Sequence, residues 1–209
     1  LGTVKFLVRK GTNTHTNNDQ ALRWASEYGH LKVVQFLVSN GADVHSLDGY
    51  ALRLASAHGH LEITQFLIQS GADIHKYNDE ALRWASENGH LEVVQFLVSQ
   101  GADVHAGDGG GALRWASENG HLKVVQFLVS NGADIHTNND QALRFASRDG
   151  HLDVVKYLIG VGADVHAQGD YALRWASMRD HLEVTQFLIT HGADAHAKSR
   201  GNPVPNSRH

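Results

Sequence analysis

Apolar residues along this chain of 209 recur in two alternating patterns. The first is a compact block, Ala21-Leu22-Arg23-Trp24-Ala25-Ser26, made of strong helix formers. The second is a run, Leu31 to Val38, in which only Lys32 and Gln35 are polar and share a narrow stripe with Ser39 at i, i+3 and i+7. Gly29 separates the two and Gly41 follows the second, each placed to supply the left-handed residue that ends a helix. Asp19 stands where a helix N-cap is expected, its carboxylate available to the free N–H groups of the first turn. The pattern predicts two short helices joined by a tight turn. A helix apolar on so many sides must be covered on nearly all of them, which one helix pair cannot do for itself.

The pair is repeated. The Ala-Leu-Arg block returns at Ala51, Ala81, Ala112, Ala142 and Ala172, at spacings of 30, 30, 31, 30 and 30. The triplet Gly-Ala-Asp returns at 41, 71, 101, 132, 162 and 192. Six units therefore start near 20, 50, 80, 111, 141 and 171. Residues 1–19 hold the second half of another, with Leu1, Val4, Phe6, Leu7 and Gly11 falling 30 residues before Leu31, Val34, Phe36, Leu37 and Gly41. Neighbouring pairs can cover one another, so an all-α solenoid over 1–197 is expected, stabilised by nearest-neighbour interfaces. Residues 198–209, which hold both prolines, lack apolar periodicity and read as a flexible tail.

The order Leu-x-x-Ala, then Gly-His-Leu-x-Val-Val-x-x-Leu, then Gly-Ala-Asp-Val resembles the ankyrin repeat over nearly the whole chain. The resemblance implies an ankyrin-repeat solenoid of helix-turn-helix units that works as a protein-protein interaction module. Three features depart from the family. The period is 30 residues rather than about 33. The family's Thr-Pro at the first helix start is replaced by pairs such as Gln20-Ala21, and its following His by Arg23, Arg53, Arg83, Arg114, Arg144 and Arg174. The missing residues come out of the segment before the first helix, so the family's projecting hairpins are expected to be short turns here. Short repeats of this kind resemble those of giant DNA viruses of amoebae.

Composition narrows the chemistry. A formal charge of −4 creates no field for polyanions, so neither nucleic acid nor an anionic membrane is the expected partner. No cysteine is present, which excludes disulfides and fits a reducing compartment. The opening residues do not form a signal peptide and no stretch approaches 18 apolar residues, so a cytoplasmic protein is expected, in the host cell if viral. The sixteen histidines fall mainly on two ladders, His30 to His181 and His15 to His196. Members of a ladder lie one repeat apart, roughly 8 to 10 Å at helix packing distances, whereas two ligands of one zinc each lie about 2 Å from it. Hydrogen bonding at turns is the expected role, with His58, His191 and His209 left on the surface and no metal or cofactor implied. The arginine ladder is matched by an aspartate ladder, Asp43 to Asp194, and pairing between them accounts for both. Gly107 to Gly111 lacks the Lys and Ser/Thr of a phosphate loop, and Asn138-Asn139-Asp140 is too short for a calcium loop. No catalytic constellation stands out, because Ser26, Ser56, Ser86, Ser117, Ser147 and Ser177 recur as parts of the repeat. The bulky ladder of Trp24, Leu54, Trp84, Trp115, Phe145 and Trp175 is expected to pack between repeats. The chain is not expected to be an enzyme.

Specificity should lie where the copies disagree. At the first-helix ends these are Glu27-Tyr28, Ala57-His58, Glu87-Asn88, Glu118-Asn119, Arg148-Asp149 and Met178-Arg179. In the turns before them stand Gln20, Leu47, Tyr50, Tyr77, Glu80, Gln141 and Tyr171. The family resemblance places such positions on the concave face, where a partner protein of unknown identity would bind. Two other roles are open to such an array: the substrate-recruiting arm of a ubiquitin ligase adaptor, and an architectural spacer. The exposed helix stripe of Lys32, Glu62, Glu92, Lys123, Asp153 and Glu183 varies only among charges and reads as a solvated back. Apolar residues kept at the last unit, with Asp180 in the glycine place, are expected either to meet further repeats of a longer array or to be covered by something else, and self-association through uncapped end faces is open.

Overall fold

The computed structural model describes residues 1–10, 13–107 and 111–195. Among them are thirteen α-helices and no strand. They divide into two compact units, residues 1–134 and 135–209. The first contains α1 (Gly2–Arg9), α2 (Thr16–Glu27), α3 (Leu31–Ser39), α4 (Ser46–Ala57), α5 (Leu61–Gln69), α6 (Lys76–Glu87), α7 (Leu91–Ser99), α8 (Gly111–Glu118) and α9 (Leu122–Ser130). The second contains α10 (Thr137–Arg148), α11 (Leu152–Gly160), α12 (Ala167–Met178) and α13 (Leu182–Thr190).

Within each unit the helices pair and the pairs stack. In the first unit α2 packs on α3 and on α4, α4 on α5 and α6, and α6 on α7 and α8. In the second, α10 packs on α11 and α12, and α13 on both α11 and α12. The alanines of the Ala-Leu-Arg block make this closeness possible: Ala55, Ala85, Ala116, Ala146 and Ala176 are fully buried, and a larger side chain there would hold neighbouring helices apart. Leu22, Leu52, Leu82 and Leu113 fill the first unit beside Leu37, Leu67, Leu97 and Leu128, while Leu143, Leu158 and Leu188 fill the second. Each such leucine contributes about 1.5–3 kcal/mol of apolar burial. The second helices approach each other less closely than the first helices do. Phe36, Phe66 and Phe96 consequently stay half-buried, so coverage of these helices is less complete than their composition implies.

The connections hold the main departure from expectation. At the start of α2, Asn17, Asn18 and Asp19 are all left-handed, with φ of 53, 55 and 55°. The same three-residue turn recurs at Leu47-Asp48-Gly49, Tyr77-Asn78-Asp79, Asn138-Asn139-Asp140 and Gln168-Gly169-Asp170. A left-handed residue costs about 1–2 kcal/mol for an ordinary L side chain, while Asn, Asp and Gly tolerate it. Only Leu47, Tyr77 and Gln168 in these five turns are other residue types.

Asp19 is therefore not the N-cap that the sequence predicts, because its own backbone is left-handed. Its buried carboxylate instead accepts the N–H of Asp43 at 3.1 Å and lies 3.1 Å from His15 Nδ1. Asp140 and Asp170 bind the N–H groups of Asp164 and Asp194 in the same way, and His136 and His166 Nδ1 donate to them at 3.0 Å. Each such aspartate ties one turn to the next.

Nor do Arg23, Arg53, Arg83 and Arg174 pair with Asp43, Asp73, Asp103 or Asp164 among the described residues. Asp43, Asp73, Asp103 and Asp164 each accept the backbone N–H two residues on. The guanidinium groups donate instead to turn carbonyls, Arg23 to Asn17 and Asn18, Arg53 to Leu47, Arg83 to Tyr77, and Arg174 to Gln168. A left-handed turn aims carbonyls at the helix that follows, where a forked cation reaches them. This accounts for the short period: a turn of three left-handed residues under an arginine stands where a longer hairpin would.

The histidines of the other ladder staple neighbouring repeats. Nε2 of His60, His90 and His121 bonds the carbonyls of Glu27, Ala57 and Glu87 at 2.9 to 3.0 Å, and His181 bonds Arg148. A Cβ added at Gly59 would lie 2.5 Å from His90 Nδ1, so that glycine serves both its φ of +74° and the approach of the ring.

Candidate functional site

In the first unit the turns and first-helix ends bring several copy-varying residues together around a residue that does not vary. Arg53 sits with its guanidinium carbon 4.7 Å from the Tyr50 ring centroid, 4.7 Å from that of Tyr77 and 5.7 Å from that of Trp84. It forms an ion pair with Glu80 and donates to the Leu47 carbonyl at 3.0 Å. Tyr50 and Trp84 meet edge to face at 6.0 Å. The Tyr77 hydroxyl donates to Asp48 at 2.9 Å, and that bond with the neighbouring carboxylate raises its pKa. Stacking and charge-assisted bonds of this kind fix a guanidinium in one orientation. Leu47 and Tyr77 are exposed at the edge of this cluster, by 45% and 54%.

The remaining first-unit candidates divide. Tyr28 is exposed and projects from the end of α2. Gln20 is half-buried and accepts a bond from Asn17. Glu27 and Glu87 engage the structure through their carbonyls, which receive His60 and His121. Asn88 and Asn119 turn back to donate to the carbonyls of Trp84 and Trp115, capping their own helices. Both residues stay exposed at the helix ends while making these bonds. His58 Nδ1 is bonded to the Leu54 carbonyl and its ring stacks on His60 at 6.2 Å.

In the second unit Arg148 pairs with Asp149 at 2.6 Å, and Arg179 reaches the same carboxylate at 2.7 Å. Tyr171 packs against Trp175 at 5.8 Å with Arg144 and Arg174 above its ring. Met178 is exposed beside them on the helix end.

The bulky ladder packs unevenly. Leu54 and Trp175 are buried, Trp84 and Trp115 half-buried, and Trp24 is 54% exposed. Trp24 lies on the foremost first helix of the described residues. The sequence reading assigned Arg53 to charge pairing and Trp84 to packing between repeats, so neither was counted among the candidate binding residues. The available signal was the position of Tyr50, three residues before Arg53 and thirty-four before Trp84.

His196, His209 and Gly110 lie outside the described residues, as does most of the glycine cluster. Among the described residues no three His, Asp or Glu side chains gather as a metal would require. No helix among them is long and apolar enough to cross a membrane. The Lys32, Glu62 and Glu92 stripe is exposed in the first unit, and Asp153 and Glu183 are exposed in the second.

A family model for ankyrin repeats in three copies matches residues 1–48, 45–108 and 113–199. No curated protein matches the chain.

Proposed function

Because the chain belongs to the ankyrin-repeat family, whose repeats are general protein-protein interaction modules, we propose that it binds a partner protein through the face of its turns and first-helix ends. The observation that carries this reading is the convergence of Leu47, Tyr50, Tyr77 and Glu80 on Arg53. Tyrosine, tryptophan and arginine are the residues that most often anchor interfaces, and here they are held rigid before any partner arrives. Tyr28 adds to the candidate surface of the first unit, and Met178 with Arg179 is a separate candidate in the second. The resemblance of the short repeats to those of amoebal giant viruses points to a host-cell protein as the partner.

Affinity capture from an amoebal lysate tests the proposal. The intact protein should retain a stoichiometric partner, and the combined replacements Tyr28→Ala and Tyr77→Ala should release it while the melting curve stays within a few degrees. Capture of ubiquitin-ligase components would favour the adaptor role, and capture of nothing would favour a spacer. Exposed Leu182, Met178 and Ile189 in the second unit support a further reading, self-association, which light scattering at rising concentration would detect as a growing mass.

A further inference from the structure

Leu47 and Tyr77 are anomalous in two independent respects. Both adopt left-handed backbone, φ 48 and 52°, where Asn17, Asn138 and the polar Gln168 stand in the equivalent places of other turns. Both also leave a large apolar side chain in water, at 45% and 54% exposure. Neither backbone preference nor burial favours them there, and bulky residues held in that conformation mark sites kept for something besides folding. They occupy consecutive turns and flank the Arg53 cluster.

The charges of the Arg53 cluster that they flank are already matched within the chain. Arg53 pairs with Glu80, Arg83 lies 3.7 Å from Glu80 and donates to the Tyr77 carbonyl, and Arg23 holds the carbonyls of Asn17 and Asn18. Asp48 accepts the Tyr77 hydroxyl. A charged partner group would have to displace one of these bonds. An uncharged apolar side chain has only to cover ring faces and leucine methyls, and it strengthens the ion pair beneath it by excluding water. We infer that the turns at 47–50 and 77–80 form an anchor site for a neutral peptide segment of the partner, one that seats a branched aliphatic or aromatic side chain between Leu47 and Tyr77. This inference rests on the interaction reading above and narrows it to one part of one unit.

The test is to pan a random displayed-peptide library on the intact protein and titrate synthetic copies of the enriched peptides, capped at both ends, onto wild type, Leu47→Asn and Tyr77→Asn. Enriched peptides should share a Leu, Ile, Phe or Trp anchor and carry little net charge. Leu47→Asn should weaken binding by about tenfold or more, as loss of an interface anchor does. It should leave the melting temperature unchanged or raised, because asparagine already occupies this place at 17 and 138. Tyr77→Asn should weaken binding to a similar degree. Affinity should hold between about 0.05 and about 0.5 M salt, a range that screens exposed charge pairs. Peptides insensitive to both variants but lost on Tyr28→Ala or Met178→Ala would overturn the anchor site and leave the interaction reading standing. Basic or acidic peptides released by salt would overturn it too, as would a melting temperature several degrees lower in Leu47→Asn. Failure to enrich any peptide would count against both readings.

Discussion

Gly59 shows how one residue can answer to two constraints at once. Its φ of +74° disfavours any side chain, and the space where a Cβ would stand is taken by the His90 ring. Gly132 has a φ of +94° but nothing within 4 Å of a would-be Cβ. Gly59→Ala should therefore destabilise the protein more than Gly132→Ala, which bears only the backbone strain of about 1–3 kcal/mol. Urea unfolding of both variants checks the order, and removing the ring with His90→Ala in the Gly59→Ala background should return the difference between them. The glycine was legible in the sequence as a helix terminator. That a ring from the following repeat fills the other side was not, because nothing local to residue 59 encodes it.

At the scale of the element, the left-handed turn and its arginine form one object. Arg144 is the most buried of these arginines, and burial lowers its pKa from the usual guanidinium value. Its Nε donates to the Asn139 carbonyl at 2.8 Å, and its terminal nitrogens reach the Asn138 carbonyl at 2.7 Å and Gln168 Oε1 at 2.9 Å. Arg144→Ala leaves both carbonyls without a charged donor and should lower stability by about 3 kcal/mol, within the usual range for buried bonds to charged groups. Arg144→Lys should recover less than half of that, since one ammonium on a flexible stem cannot span two carbonyls as the planar fork does. Chemical denaturation of the two variants measures the difference. The Asn-Asp-Gly content of these turns was visible from the start, but the sequence reading assigned the third residue to capping and the arginine to aspartate pairing. The fold instead gave the aspartate a backbone N–H of the adjoining turn, as Asp19 accepts Asp43, and gave the arginine the carbonyls of the turn just before its own helix, as Arg23 donates to Asn17 and Asn18.

At the scale of the molecule, the His90 staple makes stability depend on pH. His90 is held by the Ala57 carbonyl through Nε2, its Nδ1 faces Gly59, and His58, His60 and His121 lie near enough to oppose a charge on it. Desolvation is the largest cause of its lowered pKa, followed in the same direction by those imidazoles and opposed by the Ala57 bond. The unfolded chain then takes up the proton first. Stability should be full above about pH 6.5, the ordinary histidine value, and should fall as pH drops below it, because protonation favours the unfolded state. Melting at pH 7.5 and pH 5 should show a lower midpoint in acid, and His90→Gln, which keeps an amide donor without a titrating ring, should reduce that fall. A midpoint insensitive to the substitution would mean that other groups carry the acid response.

The repeat, its two helices, its buried leucines and its membership of an interaction family could be read from the residues alone. Period and polarity are local properties, and a helix apolar on most sides has few ways to leave water. Copy-to-copy variation likewise singled out Leu47, Tyr50, Tyr77 and Glu80 before any coordinates. Only tertiary structure decided which of the varying residues stay available. It turned Asn88 and Asn119 back onto their own helices, wrapped three rings around Arg53, and left Leu47 and Tyr77 exposed on strained backbone. The asparagine bonds reach only one turn back along the same helix, but Tyr77 and Trp84 come to Arg53 from the next repeat, and a repeating sequence places similar side chains at such distances without stating which contacts they will make.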